Sequence, residues 1–363
     1  MRFHAFALVP ILAAVCFAAC TPGTAGAPLP GDADYVPSGW VAPSLSYSIS
    51  QYLPTKVVEY TQAPGVHARN TTFRISGNQA KVLDFPDGGG TVAPNNAALV
   101  SLGMAGGYVV LEFDPPLENY AAAADFIVYG NAYYNGGIRE KLWQEPGAVW
   151  VMADANGNGL PDDDWYLLAP AYKNSETDAW TPLVDSSSVL STLSYDKAVV
   201  TKAGTADERA SWWPEEADGE STLTFTDVLL LPDSLYSLGG SSLIPRGLAD
   251  SAPSLIRGDL SGTGSLNTSG SDDDTTNGDD DYPGIDPVYF YTVADEPGDR
   301  DIAAKSGGGA AMDIAWAVNP AASFSAVTLG SVRWVKIVSG TTLENATGDY
   351  STEIDAVVRA LKP

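Results

Sequence analysis

The sequence predicts an all-β protein, a jelly-roll-like β-sandwich with long loops and few short helices. Three observations predict it. Short runs of β-branched and aromatic residues recur along the chain, Gly, Pro, Asn and Asp separate them, and sustained 3.6-residue periodicity is scarce. Many such runs joined by turns favour a sandwich or barrel over alternating α/β layers. No repeat of solenoid or propeller period interrupts the pattern.

The first residues read as an export signal. Arg2 supplies positive charge, an apolar run extends from Ala5 to Val15, and Phe17-Ala18-Ala19 leads into Cys20. A cysteine directly after two small residues looks like a bacterial lipobox, so residues 1–19 are expected to be a lipoprotein signal peptide. Cys20 then becomes the diacylated first residue of the mature chain; the alternative is a plain signal peptide that happens to carry cysteines. Two acyl chains suffice for stable membrane anchoring. Residues 20–50 hold the lipidated cysteine and a Pro-, Gly- and Ala-rich stretch expected to be a flexible tether. The expected location is the cell envelope, lipid-anchored, at the outer membrane.

From residue 51 to 363 the chain reads as one β-sandwich domain. Its clearest strand candidates are TKVVEY, AALVSL, GYVVLEF, DFIVYGN, GAVWVM, DWYLL, KAVVTK, STLTFTDVLL, VYFYTV, MDIAWAV, VRWVKIV and TEIDAVV. Near 257–284 the sequence RGDLSGTGSLNTSGSDDDTTNGDDDYPG is almost free of apolar residues. Such a segment buries too little surface to offset its ordering entropy, so a disordered acidic insertion is expected there.

Composition narrows the chemistry. Cys16 and Cys20 are the only cysteines, so neither a disulfide framework nor thiolate catalysis is available to the folded part. Asp and Glu total 45 against 19 Lys and Arg, a net charge of −26 that repels phosphates and disfavours nucleic acid as a partner. After the signal, His67 is the single histidine, which excludes histidine-rich zinc sites and leaves a Ser-His-Asp triad to depend on a residue in a Pro-Gly turn.

The strongest local signal is EPGAVWVMADANGNGLPDDDWYLL, from Glu145 to Leu168. Asp154, Asn156 and Asn158 alternate with small residues, Gly159 follows, and Asp162, Asp163 and Asp164 close the run. Oxygen-bearing side chains at every second position, then glycine, then carboxylates, is how a short loop wraps calcium. The expected ligands of a structural Ca2+ are Asp154, Asn156, Asn158, the Leu160 carbonyl, Asp162 and Asp164. Trp165 stands where an EF-hand places a bidentate Glu, and the flanks alternate like strands, so this is not an EF-hand. The same residues also suit a metal-free turn.

Two other constellations bear on function. Glu112, Glu118, Asp125, Glu140, Glu145 and Glu353 lie on or beside predicted strands, and glycosidases work with two carboxylates across a cleft. No spacing singles out a pair, although Glu353 and Asp355, two apart, share a strand face. Tyr133, Tyr134 and Trp143 bracket a Gly-rich polar segment, and Trp212 and Trp213 precede Pro214. Exposed, these aromatics stack on sugar rings or planar cofactors; otherwise they cap the edge of the sandwich. Trp150, Trp165, Trp316 and Trp334 sit within strand patterns and are core candidates.

Several pieces also resemble a family of bacterial "cell surface protein" sequences, common in Bacteroidetes and sometimes found beside PKD modules. They are LGMAGGYVVLEFDPPLEN (Leu102 to Asn119), DFIVYGNAY (Asp125 to Tyr133), EPGAVWVMADANGNGLPDDDWY (Glu145 to Tyr166), MDIAWAV (Met312 to Val318) and STEIDAVV (Ser351 to Val358). The chain departs from that pattern in its acidic insertion and in GGGAAMDIAWAV, where the family more often has Phe before Asp. The resemblance implies an exported β-sandwich with no enzymatic activity firmly attached. Some relatives appear near outer-membrane uptake genes, including corrinoid systems, which implies ligand capture at the surface. The expectation is a non-enzymatic, calcium-stabilised module recognising a glycan, a corrinoid-type cofactor or a surface protein. The alternatives are a carboxylate-dependent glycan-active enzyme and a structural adhesion or scaffold module.

Overall fold

The computed structural model describes residues 51–73, 79–86, 99–121, 123–135, 141–174, 179–236, 245–254, 291–297, 306–342 and 350–361. The signal, Cys20, the tether, Glu140 and the acidic stretch near 257–284 lie outside the described residues. In chain order the strands begin with β1 (Lys56–Thr61), β2 (Val100–Ser101), β3 (Tyr108–Glu118), β4 (Phe126–Tyr129), β5 (Tyr133–Tyr134), β6 (Leu142–Trp143) and β7 (Gly147–Met152). They continue with β8 (Tyr166–Leu168), β9 (Ala171–Asn174), β10 (Ala179–Pro182), β11 (Val189–Asp196), β12 (Thr222–Leu229), β13 (Pro245–Arg246) and β14 (Leu248–Ala249). The last are β15 (Ala310–Met312), β16 (Ala317–Asn319), β17 (Ser325–Ala326), β18 (Ser331–Ser339), β19 (Glu353–Ile354) and β20 (Ala356–Arg359).

The fold is all-β and sandwich-like, as its alternating runs predict. One eight-stranded antiparallel sheet runs β1-β3-β18-β7-β8-β16-β17, with β14 added against β7. A three-stranded sheet, β15-β4-β20, faces it. Strands from either side of the acidic stretch meet in these sheets: β15 pairs with β4, and β18 lies between β3 and β7.

Alternation along β3, β7 and β18 sends Val109, Leu111, Val149, Val151, Val335 and Ile337 to the inner face. There they meet Phe126, Val128, Met312 and Val357 of the smaller sheet. Each fully buried aliphatic side chain of this kind contributes roughly 1.5–3 kcal/mol relative to an exposed one.

The outer face of the large sheet is covered too. Ala148, Trp150, Leu167 and Val338 pack against Leu229, Leu231, Leu235 and Tyr236. The β11–β12 hairpin beside them builds its own small core from Tyr195, Phe225, Trp212 and Trp213 with Ala63 and Met104. The molecule therefore carries a third layer beyond the expected two. This explains why Gly147–Met152 reads as a continuous apolar run: all six residues are buried, as in strands covered on both faces.

Of VYFYTV only residues 291–293 are described, and they form a turn; two further strand expectations are corrected. KAVVTK forms a single helical turn at Lys197–Val200, because the Asp196 carboxylate accepts from the Val199 N–H and the Thr201 hydroxyl donates to the Lys197 carbonyl. MDIAWAV is divided: β15 ends at Met312, Asp313 caps a 3-10 turn over Ile314–Trp316 by accepting from the Ala315 N–H, and β16 begins at Ala317. Of the expected core tryptophans, Trp334 and Trp150 are buried. Trp165 and Trp316 are half-buried.

Candidate functional site

The loop singled out by its spacing joins β7 to β8, antiparallel neighbours with Trp150 opposite Leu167 and Val151 opposite Tyr166. Gly157 and Gly159 take left-handed backbone at φ 71° and 73°, a conformation that costs glycine least. The coil between them is closed by its own side chains. The Gly159 N–H donates to Asp154 Oδ2 (3.0 Å), the Asn158 N–H to Asn156 Oδ1 (2.9 Å) and the Leu160 N–H to Asn158 Oδ1 (2.7 Å). Asp163 Oδ2 accepts from the Ala155 N–H at 2.9 Å and braces the entry. The amide groups of Asn156 and Asn158 donate to the Asp162 carboxylate at 3.0 and 2.9 Å.

These bonds gather Asp154, Asn156, Asn158 and Asp162 into one cluster. Asp164 is exposed and outside it, and the Leu160 side chain is exposed as well. Each Asn Oδ1 spends one lone pair on a backbone N–H and keeps the other. Asp154 Oδ1 is buried and has no hydrogen-bond partner among the described residues. Hydrogen bonds from the two Asn amides hold the Asp162 carboxyl below the usual carboxylate range, which keeps it ionised and oxygen-donating. An orphaned carboxylate oxygen, spare amide lone pairs and an ionised Asp form a hard-oxygen donor set of the kind calcium prefers. Nearby, Arg333 Nη1 stands 3.9 Å from Asp154 Oδ2 and supplies partial compensation of its charge.

A second acidic group arises from residues far apart in sequence. Glu145, Asp250 and Glu353 each offer a carboxylate oxygen, and these atoms lie within 4.8 Å of one another. Asp250 follows β14 with left-handed φ of 48°; its Oδ1 accepts from the Asn131 and Ala132 N–H groups at 2.9 and 3.0 Å. A Cβ at position 130 would sit 2.4 Å from that oxygen, so only Gly130 admits it. Glu353 accepts from the Ser351 hydroxyl, which accepts from Ser101 Oγ at 3.0 Å. Burial, and then the charge of Glu353, push the Asp250 carboxyl well above the usual range. Three carboxylates in so small a space either retain protons or hold a cation.

Sequence reasoning named Glu145 and Glu353 but missed Asp250. Its signal was an acid in a short apolar stretch, GLADSAP, that no exposed face explains. The other carboxylates have structural partners. Glu112 pairs with Lys56 and Arg333, both at 2.7 Å. Buried Asp125 accepts from the Tyr120 and Ile314 N–H groups, and Glu118 accepts from the Tyr120 hydroxyl. Asp355 is buried but outside the acidic trio. His67 stacks on Phe73 at 4.1 Å.

The expected aromatic platform divides. Tyr133 and Trp143 face each other across β5 and β6, half-buried and stacked with centroids 6.0 Å apart. Tyr134, Trp212 and Trp213, candidates for ligand stacking if exposed, are instead core: they are 3%, 6% and 0% exposed. Trp212 and Trp213 are tucked under the β11–β12 hairpin. Trp213 Nε1 donates to the Ala217 carbonyl, and the Arg209 guanidinium covers Trp212 at 4.2 Å. The third layer buries rings that a Trp-Trp-Pro sequence leaves reading as loop. No family model matches the chain, and no curated protein is similar to it.

Proposed function

We propose that this chain is a lipid-anchored protein of the bacterial cell envelope, held at the outer membrane through Cys20, and that it acts as a non-enzymatic recognition module stapled by calcium. The observation that carries the calcium part is the coil at Asp154–Asp162, with its orphaned Asp154 Oδ1 and converging Asn and Asp oxygens. A cation there would tie the β7–β8 hairpin shut, a structural duty. The ligands in view are a glycan, a corrinoid-type cofactor or a surface protein, with the Tyr133–Trp143 stack as one aromatic surface for them.

Calcium titration of the full chain tests the staple. At a hundredfold excess over Kd, binding adds about 2.7 kcal/mol to stability, which reads as a rise of several degrees in Tm. Asp154→Ala is expected to abolish that rise; a melt unchanged by calcium or chelator would sink the staple. For the anchor, Cys20→Ser is expected to move the protein from the membrane fraction to the soluble one, and retention in the membrane would defeat it.

One observation favours a second reading, a carboxylate-dependent glycan-active enzyme: the convergence of Glu145, Asp250 and Glu353. Asp250 and Glu353 are buried, so Glu145, half-buried, would have to meet the sugar. Glycan hydrolysis that disappears in Glu145→Gln would support this reading over the first.

A further inference from the structure

On the outer face of the large sheet, β18 presents Lys336 between Val110 of β3 and Trp150 of β7. The third layer does not close completely over it. A groove of about 640 Å³ remains between the sheet and the β11–β12 hairpin, and Lys336, Tyr108, Trp150, Trp165, Thr226 and Asn319 are among its walls. That volume suits one or two sugar rings. The ammonium lies 4.6 Å from the ring centroid of Trp165, 5.5 Å from Trp150 and 6.0 Å from Tyr108. It makes no ion pair and no hydrogen bond among the described residues, and it is the one cation among those lining the groove. Glu59, which accepts from the Tyr108 hydroxyl, and Asp227 are the acidic groups that act on it, and both are exposed.

This half-buried ammonium faces three rings and makes no ion-pair contact with Glu59 or Asp227, so its inner side has room for an anionic partner. In a chain of net charge −26 a cation without a direct ion pair among the described residues is unusual. Thr226 and Asn319 at the walls add hydroxyl and amide groups beside the rings, which a purely apolar ligand would leave unsatisfied. We propose that this groove binds an acidic pyranose, its carboxylate on the Lys336 ammonium and its ring against Trp165. The choice of a glycan rests on the recognition reading above; the choice of an acidic one rests on Lys336. Burial brings the amine down to about 8, so it remains largely protonated and anion-binding at neutral pH.

The test is calorimetric titration of the purified full chain with D-glucuronate, with D-glucose and benzoate as comparators. The expected result is saturable binding of glucuronate and none of glucose, weakened about tenfold in Lys336→Met, the loss of one charge-assisted hydrogen bond. Thr226→Trp, a substitution at an exposed wall position that leaves the core untouched, is expected to block the groove and lower affinity as well. It decides the matter if Lys336→Met repacks the groove. Absence of glucuronate binding, equal binding of glucose, or wild-type affinity in both variants overturns the proposal. Binding of benzoate as tight as that of glucuronate overturns the sugar ligand. In each case the calcium-dependent rise in Tm and the Cys20 fractionation are left to judge the parent reading separately.

Discussion

At Lys336 a single ammonium bears a desolvation cost that the rest of the sheet supports. Its amine is pushed down from 10.5 to about 8 by burial, so the unfolded chain binds this proton more tightly than the folded one. Stability is therefore lowest below pH 8 and rises as pH climbs from 8 to about 10.5, where both states are neutral. Lys336→Met is expected to raise stability at pH 7 by up to ~3 kcal/mol and to flatten that rise, both measured by denaturant unfolding across pH. At Asp250 the sign is opposite in kind. An acid whose folded value is raised weakens the fold as pH rises above its ordinary range. Asp250→Asn, which keeps the oxygen facing the Asn131 and Ala132 N–H groups, is expected to melt at or above wild type at pH 7 in chelator, the gain vanishing near pH 4. A loss of stability in the variant that appears only with added divalent cation would show that the trio holds metal. Neither the half-burial of Lys336 nor the burial of Asp250 was legible in the sequence. Lysine in an alternating strand reads as solvent-facing, and Asp250 meets Glu145 and Glu353 only through long-range topology.

Among the elements, β3, β7, β8 and β18 were readable because alternation and apolar runs report burial directly. The continuous run in Gly147–Met152 even carried the mark of a strand covered twice. The loop between β7 and β8 was readable for a different reason: its oxygens and glycines serve contacts within eleven residues, so the sequence contains the whole coil. What failed were segments whose fate depends on a distant cover. Trp212 and Trp213 lie in a loop whose burial comes from β11 and β12; KAVVTK failed for the opposite reason, because a local cap at Asp196 turns it into a helical turn. Trp334, fully buried against Val110 and Met152 on the central strand, is the element's most sensitive position. Trp334→Ala is expected to cost about 3–5 kcal/mol, measured as a fall in the denaturant midpoint.

For the whole molecule, the last residues complete two antiparallel pairings, one in a separate two-stranded ladder and one in the smaller sheet of the sandwich. β19 pairs with β2, and β20 pairs with β4 at the centre of the smaller sheet. Removing residues 350–363 would strip that sheet of a strand and open Val128, Ile127 and Phe126 to water. The expected outcome is loss of cooperative unfolding and of soluble yield, and a truncated chain that melts like the full one would contradict it. Such closure was only half legible: STEIDAVV reads as a strand, while its partner does not follow from pattern alone.

The ends of the large sheet carry one more consequence. Its outermost strands are β1, bulged between Val57 and Glu59 with Lys56 and Glu59 exposed, and β17, only two residues long. A kinked, charged strand and a very short one are poor templates for a neighbour's backbone. Copies crowded together would thus meet through side chains and loops, with edge-to-edge β-aggregation discouraged at both ends.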